Sequence, residues 1–385
     1  MPSNRKPLKA YIRGAYGPGN LGDDVLLEVC LNILTKHFKE KDISVGIKQP
    51  QKTGYLKKFK CQYLPISAPI DTDILFFGGG GQFFEFNGVK AQKTFKQKYN
   101  SARSQGLTPL EIFKIYVLRA LKVKNIKFRK SAALCLGLGP FETTPETKIV
   151  EKIQPFLECD FKSVRDQESL EILEKINKTS AIYTDPTFLV NHWYTQPYLP
   201  KETATESIGF ILRDWTLNDH GSNVLANTVK AARTLLSQGR TVKLISLYYE
   251  YDKKTIERNR DFEWIIWNPH SDTPESFVNK LREEFGILVS TRAHGVLLPS
   301  HVGLPSVVIG IEPKLKNIHT LLPNGTLYSD GLCSDDIISK TLNGLKEQKE
   351  LSQKLLADTQ KQTAIANNFL KDIDTWIAKS IQALQ

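Results

Sequence analysis

The chain has 385 residues, of which 41% are hydrophobic and 24% are charged, and its formal net charge at pH 7 is +11. These proportions are typical of soluble globular proteins and exclude fibrous and disordered classes, while the length predicts two domains. No apolar run approaches the roughly 20 residues that cross a bilayer, and the first residues lack the apolar core of a secretion signal. The sequence therefore predicts a cytoplasmic protein.

In the first half of the chain, strand-like apolar runs alternate with helical patterns, as in a parallel sheet wound with helices. Strands are predicted at 8–15, near 43–47, at 73–79, 131–139, 159–166 and 181–186, and the first helix at 23–38. These elements predict one compact α/β domain over residues 1–192.

The second half repeats the pattern after a predicted linker at 191–207, which contains two prolines and a polar tail. Strands are predicted at 207–213, 241–247, 262–267, 286–290 and 305–310, with helices at 223–239 and 271–286, the latter capped by Ser271 or Asp272. We therefore predict an α/β fold of two Rossmann-like domains, 1–192 and 205–345, whose mainly parallel sheets face a cleft. An amphipathic helical segment, 346–385, follows them.

Two basic side chains, Arg292 and His294, lie between the strand predicted at 286–290 and a short helix predicted from Gly295 to Gly303. Strand ends and helix N-termini of such folds favour anions, because free backbone N–H groups and the helix dipole point there. Arg binds carboxylate or phosphate with two N–H groups, and His exchanges a proton near neutral pH. The pair predicts an anion-binding or catalytic site; the alternative is a surface ion pair for Arg292 and a helix cap for His294.

A glycine-rich turn, GPGNLGDD, connects the first strand to the first helix and contains Gly19, Asn20, Asp23 and Asp24. Such a turn allows a ligand to approach the backbone closely. It is a weak dinucleotide site, because no acid ends a second strand about 20 residues further on. The two aspartates either complement the helix dipole or supply a general base for a hydroxyl.

Three further features follow predicted strands. The four-glycine run at 78–81 includes Gly79 and Gly80 and predicts either a tight turn or a ligand contact. Arg213 follows the first strand of the second domain, and Lys314 follows the strand at 305–310. Each of these basic residues is a candidate contact for a ligand with both carboxylate and phosphate, or else an ordinary surface charge.

A basic segment, residues 90–130, contains twelve Lys or Arg residues against one acid, Glu111. Such a segment attracts polyanions, anionic lipid head groups or acidic glycans, with a solvated helix face as the alternative. Aromatic residues interleave with the charges, which favours a peripheral contact with an anionic membrane at its inner face.

The five cysteines are scattered without a C-x-x-C pair, so the sequence predicts buried, reduced thiols rather than disulfides or a zinc site. The histidines other than His294 lack the spacing of metal ligands, and no metal site is expected.

Taken together, four parts of the chain resemble the polysaccharide pyruvyl transferase family. They are GAYGPGNLGDDVLL, FFGGGGQF, the pair SVRDQESLEIL and TDPTFLV, and STRAHGVLLPSHVGLPSVVIGIEPK, and the resemblance spans roughly residues 8–318. The family usually has Arg-Leu-His where this chain has Arg292-Ala293-His294, and often Gly-Asp-Glu where it has Gly22-Asp23-Asp24. Both differences keep the chemical type of the key groups.

The resemblance implies a glycosyltransferase-like pair of domains, with phosphoenolpyruvate bound by the second and a glycan or lipid-linked sugar acceptor presented by the first. The implied reaction joins the enolpyruvyl carbon to two hydroxyls of one sugar as a ketal and releases phosphate, without a cofactor. Arg213 and Arg292 would bind the donor's carboxylate and phosphate, Lys314 would be a further anion contact, and His294 would be the general acid.

Two alternatives belong to other classes of function. A nucleotide-sugar glycosyltransferase of the same architecture would carry an acid that binds the ribose late in the second domain, and Glu312 is the candidate. A non-catalytic protein that binds polyanions or membranes would rely on the basic segment. No nucleic-acid-binding motif is present, so nucleic acid is not an expected partner.

Overall fold

The computed structural model describes residues 6–17, 19–48, 54–85, 99–100, 103, 108–113, 126–141, 144–196, 205–215 and 218–385. The chain forms two compact units. Unit 1 comprises Met1–Pro18, Leu26–Pro186 and Asn367–Gln385, and unit 2 comprises Gly19–Val25 and Thr187–Ala366. The domain boundaries 1–192 and 205–345 stay a prediction. The division into units differs from them at the short segment Gly19–Val25, because this segment belongs to unit 2.

Unit 1 contains a parallel sheet with a separate two-stranded pair. Its strands are β1 (Ala10–Arg13), β2 (Ile43–Ile47), β3 (Gln62–Pro65), β4 (Ile70–Asp71), β5 (Ile74–Phe77), β6 (Gly80–Glu85), β7 (Ile126–Lys127), β8 (Lys130–Phe141), β9 (Phe161–Val164) and β10 (Ala181–Ile182). Among the described residues the main sheet has the order β10-β9-β8-β5-β1-β2-β3, with β6 also paired to β8, and β4 pairs with β7. The central strand β5 is buried along its whole length, as expected of a strand covered on both faces.

Helices of this part of the chain include α1 (Leu21–Leu34), whose first residues up to Val25 belong to unit 2, α2 (Glu146–Leu157) and α3 (Gln167–Lys175). Helix α2 buries Ile149, Ile153 and Phe156 at helical spacing. These side chains join Leu75 and Phe77 of β5 in one hydrophobic cluster. The sheet and α2 therefore share a core, which stabilises unit 1 by removing apolar surface from water.

Unit 2 contains a six-stranded parallel sheet with helices between the strands. Its strands are β11 (Ile208–Ile211), β12 (Val242–Ser246), β13 (Trp264–Ile266), β14 (Ile287–Ser290), β15 (Ser306–Ile309) and β16 (Thr326–Ser329). Its helices are α4 (Asp219–Ser237), α5 (Tyr249–Arg258), α6 (Pro274–Glu284), α7 (His294–Ser300), α8 (Pro313–Leu321), α9 (Ser334–Lys346) and α10 (Gln348–Leu384), the last of which continues into unit 1.

The strand order of unit 2 is β13-β12-β11-β14-β15-β16. Counted along the chain this is the 3-2-1-4-5-6 order of a Rossmann fold, in which the direction of winding reverses between the first and fourth strands. A ligand in such a sheet binds beyond the carboxyl ends of those two strands, here β11 and β14. The topology thus defines where a site in unit 2 is expected.

The C-terminal part of α10 packs within unit 1. Trp376 makes edge contacts with Phe76 at 6.3 Å between ring centroids and lies 6.0 Å from Phe161. Tyr183 donates a hydrogen bond to Asp372 at 2.6 Å. The amphipathic pattern predicted for 346–385 therefore forms one helix, whose apolar side chains at this end cover the sheet.

The predicted α/β class with parallel sheets is confirmed, and the strongly apolar strands lie where the sequence predicts them. The four-glycine run is not a tight turn, because Gly80 begins β6 and pairs with Leu136 of β8. Strands β3, β4, β6, β7 and β16 were not predicted, nor were α2, α3, α5, α8 and α9. Most of these elements bury a narrow apolar stripe or one face only, which leaves a weak periodic signal.

The predicted linker is wrong at its start. Trp193 and Tyr194 are buried, and Trp193 donates a hydrogen bond from Nε1 to the carbonyl of Thr187 at 2.8 Å. This aromatic pair packs as part of unit 2, because both rings can bury apolar area while their polar atoms find partners. Residues 197–204 lie outside the described residues.

Two compositional predictions also have outcomes. All five cysteines are free, but only Cys30, Cys135 and Cys159 are buried, and Cys333 is exposed. Most of the basic segment 90–130 lies outside the described residues. In the part of the chain that the structure describes, no helix has the length and hydropathy needed to span a membrane.

The N-cap of α6 is Thr273, not Ser271 or Asp272, and it forms a capping box with Ser276. We expect Thr273→Ala to lower the free energy of unfolding by about 1 kcal/mol, because a backbone N–H at the helix start loses its acceptor. Urea denaturation of purified protein measures the change. Ser271→Ala is the control and should stay within about 0.5 kcal/mol of wild type; equal losses in the two variants would contradict the assignment.

Candidate active site at the end of the unit 2 sheet

Arg213 and Arg292 lie at the same edge of the unit 2 sheet. Strands β11 and β14 are parallel neighbours, with Ile211 aligned with Ser290. Each arginine is the second residue after its strand, and Thr291 between Ser290 and Arg292 donates its backbone N–H to the carbonyl of Ile211 at 3.0 Å. The two guanidinium groups that the sequence predicts as a pair are therefore both placed at the reversal point of the sheet.

Arg292 is held by a buried carboxylate. Its Nη2 donates to Oδ1 of Asp252 at 2.5 Å, and its Nε donates to the carbonyl of Leu212 at 3.2 Å. Its backbone N–H donates to Oγ of Ser290 at 3.1 Å. The side chain is 11% exposed and Asp252 is fully buried, so this ion pair is shielded from screening by salt.

Arg213 and Lys314 share a second buried carboxylate. Nη1 of Arg213 lies 2.5 Å and Nζ of Lys314 lies 2.8 Å from the same oxygen, Oε1 of Glu312. Burial opposes ionisation of Glu312, but the positive charges of Lys314, Arg213 and Arg292 outweigh it and lower the pKa of the carboxyl. The Arg213 guanidinium also stacks over the ring of Trp215, 4.8 Å from its centroid.

The imidazole of His294 packs against the first turn of α1. Helix α7 begins at His294, and a Cβ atom added to Gly22 would overlap Nδ1 and Cγ of that ring. The backbone N–H of Leu21 donates to the carbonyl of Leu247, just after β12, at 3.0 Å. The glycine turn near the start of the sequence and the Arg-Ala-His segment are therefore in direct contact within unit 2.

Asp23 and Asp24 lie in the first turn of α1. Asp23 accepts a hydrogen bond from Nδ2 of Asn20 at 2.6 Å, and Asp24 is buried and accepts one from Nε1 of Trp267 at 3.3 Å. Both carboxylates lie where a helix dipole stabilises negative charge. Gly19 has a φ of +92°, so the turn needs glycine at that position.

Tyr248 is a member of this site that the sequence analysis did not single out. Burial and the negative charge of Asp23 raise the pKa of its phenol, while Arg292 lowers it. The ring stacks on Tyr251 at 5.9 Å, and the Tyr251 ring lies 5.9 Å from the guanidinium carbon of Arg213. The tyrosine pair thus connects the acidic turn of α1 to the arginines.

Asp252 is the other residue that sequence reasoning missed. It lies in the polar segment YEYDKK, where nothing distinguishes it from a surface acid. One signal was present: this segment follows β12, the neighbour of β11, so its carboxylates lie near the same sheet edge as the arginines.

Gly79 and Gly80 belong to unit 1. They are therefore not part of the unit 2 cluster, by which we mean the segment Gly19–Asp24 together with Arg213, Tyr248, Asp252, Arg292, His294, Glu312 and Lys314. A Cβ atom on Gly79 would lie 2.9 Å from Leu26 Cδ2 and 3.2 Å from Pro186 Cγ, so close packing is a sufficient reason for glycine there. Gly80 has a φ of +99°. A substrate contact for these glycines stays a prediction.

The resembling motifs of unit 1 also form a cluster. Arg165 donates to buried Asp185 at 2.8 Å, and Asp166 caps α3 by accepting the backbone N–H of Ser169. The motifs SVRDQESLEIL and TDPTFLV are thus joined by an ion pair. Within the described residues, no group of three or more His, Cys, Asp or Glu side chains is arranged to hold a metal ion.

The fold is similar to that of several solved structures, two of which contain UDP. Anabaena HepE in complex with UDP shares 11% identity at a TM-score of 0.52, covering 97% of this chain and 100% of that chain. MnaA of S. aureus with UDP shares 10% identity at a TM-score of 0.52, covering 91% of each chain. Sucrose-phosphate synthase from Thermosynechococcus elongatus shares 7% identity at a TM-score of 0.52, covering 97% of this chain and 100% of that chain. These similarities define the class: an α/β protein with the GT-B fold of two Rossmann-like domains.

A family profile described as polysaccharide pyruvyl transferase matches residues 20–313. The match covers most of the chain and includes every residue of the unit 2 cluster except Gly19 and Lys314. The protein belongs to the polysaccharide pyruvyl transferase family, a family of transferases in polysaccharide biosynthesis. No curated protein sequence matches the chain significantly.

The contact between Gly22 and His294 has a testable consequence. We expect Gly22→Ala to lower the free energy of unfolding by about 1–3 kcal/mol, because the added methyl group overlaps the imidazole. Chemical denaturation measures this loss. Gly81→Ala is the control, since a Cβ there meets nothing within 4 Å. The double variant Gly22→Ala/His294→Ala should recover most of the loss; strictly additive effects would show that the two residues do not touch.

The lowered pKa of Glu312 predicts a pH dependence of stability. A depressed folded-state pKa contributes stability above the ordinary value of 4.5, and this contribution is lost as pH falls through the folded value. We expect Glu312→Gln to be less stable than wild type at neutral pH, with a difference that narrows once the pH falls below 4.5. Denaturation curves over this range measure it. Glu350→Gln is the control, because Glu350 forms an exposed pair with Lys354 of small energetic value; a gap for Glu312→Gln that does not change with pH would contradict the role of its charge.

Proposed function

We propose that the protein is a ketal-forming pyruvyl transferase that uses phosphoenolpyruvate as donor and a sugar of a cell-surface glycan, or its precursor, as acceptor. The observation that carries the proposal is the family match together with Arg213, Arg292, Lys314 and His294 at one edge of the unit 2 sheet. Phosphoenolpyruvate carries a carboxylate and a phosphate ester on the same carbon. Two arginines and a lysine are suited to both groups.

The proposed chemistry begins with protonation of the donor. The imidazolium of His294 gives a proton to the methylene carbon, which becomes a methyl group and leaves an oxocarbenium-like carbon. One sugar hydroxyl attacks that carbon, the C–O bond to phosphate breaks, and the second hydroxyl closes the ketal. Of the two hydroxyl protons, one restores His294 and the other leaves on phosphate, while Arg213 and Arg292 balance the charge that develops on phosphate.

The acidic turn of α1 is the proposed relay for the hydroxyl protons, taking each from the sugar and passing it on to His294 or to phosphate. Asp23 is partly exposed, whereas Asp24 is buried and accepts a hydrogen bond from Nε1 of Trp267. We therefore assign the base to Asp23 and a supporting role to Asp24. The contact of Gly22 with His294 supports this assignment, because it brings acid and base to neighbouring positions.

A nucleotide-sugar glycosyltransferase is the main competing function. Its ribose-binding acid would be Glu312, but Oε1 of Glu312 already accepts contacts from Arg213 and Lys314 in a 2% exposed position. The occupied carboxylate favours the pyruvyl transferase. A membrane- or polyanion-binding role for residues 90–130 is separate from this site and remains a prediction.

Binding of phosphoenolpyruvate tests the proposal. We expect Arg213→Ala and Arg292→Lys to weaken its binding at least about tenfold in calorimetry, because each loses charge-assisted hydrogen bonds to the donor. Arg292→Lys keeps the charge beside Asp252, which protects the fold. Arg233→Ala is the control, since Arg233 contacts Asp261 at the surface of unit 2.

A phosphate-release assay and a measurement of UDP binding separate the alternatives. Phosphate release from phosphoenolpyruvate, assayed with a panel of sugar acceptors, should be lost in Arg292→Lys and His294→Ala. Binding of UDP but not phosphoenolpyruvate, weakened by the same variants, would replace the proposal with the glycosyltransferase. Unchanged binding of phosphoenolpyruvate in both arginine variants would remove the donor site from this sheet edge.

A further inference from the structure

Asp252 contacts three neighbouring strand ends of unit 2. Oδ1 accepts the backbone N–H of Asp214, just after β11, at 3.2 Å, and Oδ2 accepts the hydroxyl of Ser246, the last residue of β12, at 2.8 Å. Oδ1 also accepts Nη2 of Arg292, after β14, at 2.5 Å. The carboxylate is fully buried. Desolvating a charge in that position is unfavourable unless hydrogen-bond donors and an opposite charge compensate, and the three contacts supply both.

The contacts of Arg292 determine which of its N–H groups remain for a ligand. A guanidinium has five N–H donors in a planar fork. Nε and Nη2 form one edge of that fork, and the protein uses this edge for Leu212 and Asp252. The opposite edge, formed by Nη1 and the second N–H of Nη2, makes no contact that we find within the described residues. That edge has the geometry for a bidentate grip on carboxylate or phosphate.

Arg213 is coupled to the same carboxylate through the backbone. Asp214 follows Arg213 directly, and its N–H is fixed on Asp252. The direction in which the chain leaves β11 therefore depends on Asp252, as does the orientation of Arg292. Glu312, by comparison, contacts the side chains of Arg213 and Lys314 and accepts no backbone N–H in the hydrogen bonds described above.

We propose that Asp252 is a positioning residue that fixes both arginine-bearing strand ends and aims the Nη1/Nη2 edge of Arg292 at the donor anion. This inference rests on the proposed function for the identity of the donor, but the orientation of Arg292 is a property of the protein alone. Asp252 itself does not touch the donor. Its effect on binding passes through Arg292 and through the backbone at Asp214.

The test compares Asp252→Asn with a matched control, Asp358→Asn. Asp358 is also a buried carboxylate of unit 2, and it accepts the backbone N–H of Asn324 at 2.8 Å and the side chain of Asn324 at 2.9 Å. Both substitutions remove a buried negative charge, and the two carboxylates accept similar hydrogen bonds. A merely structural role therefore predicts similar losses of thermal stability and no change in donor affinity for either variant.

The first measurement is calorimetric binding of phosphoenolpyruvate. We expect Asp252→Asn to raise the dissociation constant at least about tenfold and Asp358→Asn to leave it within about twofold. In an Arg292→Lys background, Asp252→Asn should raise the dissociation constant by a smaller factor, because lysine lacks the planar guanidinium that Asp252 orients. Ser246→Ala removes one hydrogen bond from Asp252 and should weaken binding less, by about two- to fivefold, so it serves if Asp252→Asn does not fold.

The second measurement is independent of the donor. In ¹⁵N NMR spectra of the arginine side chains, the Nε–H signal of Arg292, assigned by its absence in Arg292→Lys, should shift and exchange faster with water in Asp252→Asn or Ser246→Ala. The Asp358→Asn spectrum should match wild type at this signal. An unchanged Arg292 signal, or unchanged affinity for phosphoenolpyruvate in a folded Asp252→Asn protein, would overturn the inference. If wild type binds no phosphoenolpyruvate while the Arg292 signal still depends on Asp252, the donor assignment fails and the positioning role stands.

Discussion

The parallel pairing of β11 with β14 is the constraint on which the site of unit 2 depends. Because Ile211 is aligned with Ser290, the residues that follow the two strands emerge side by side. Arg213 and Arg292 come from positions far apart in sequence, yet the register leaves them no other edge of the sheet. Any shift of this register would separate the arginines and dismantle the proposed anion site without changing any residue that belongs to it.

Buried carboxylates make this concentration of positive charge compatible with folding. Asp252 compensates Arg292, and Glu312 compensates Arg213 and Lys314 together. Such pairs add little net stability once desolvation is counted, but they restrict the orientation of each cation. The arrangement resembles a preorganised site, in which the protein supplies the ordering of charged groups before a ligand arrives.

The sequence was sufficient for the strongly apolar strands and for the positions of the basic residues that follow them, because buried parallel strands are continuous apolar runs and the residues after them can be counted directly. It was not sufficient for Asp252, whose helix is so polar that apolar periodicity is absent. Nor could it show that Gly22 touches His294, since that contact depends on how segments near opposite ends of the chain come together. The role proposed for His294 came from the family resemblance, whereas for Asp23 and Asp24 the position in the sequence left a helix cap and a general base as open alternatives.

The assignment of Gly19–Val25 to unit 2 has a consequence for biosynthesis and for protein engineering. During translation this turn leaves the ribosome long before β12 and α7 exist, because its docking partners, the carbonyl of Leu247 and the ring of His294, lie well past the middle of the chain. Closing so long a loop is entropically costly and slow. A fragment cut at the apparent boundary, 187–366, would leave that carbonyl and that ring facing water. A version of unit 2 made on its own therefore needs residues 19–25 joined to it as an added segment.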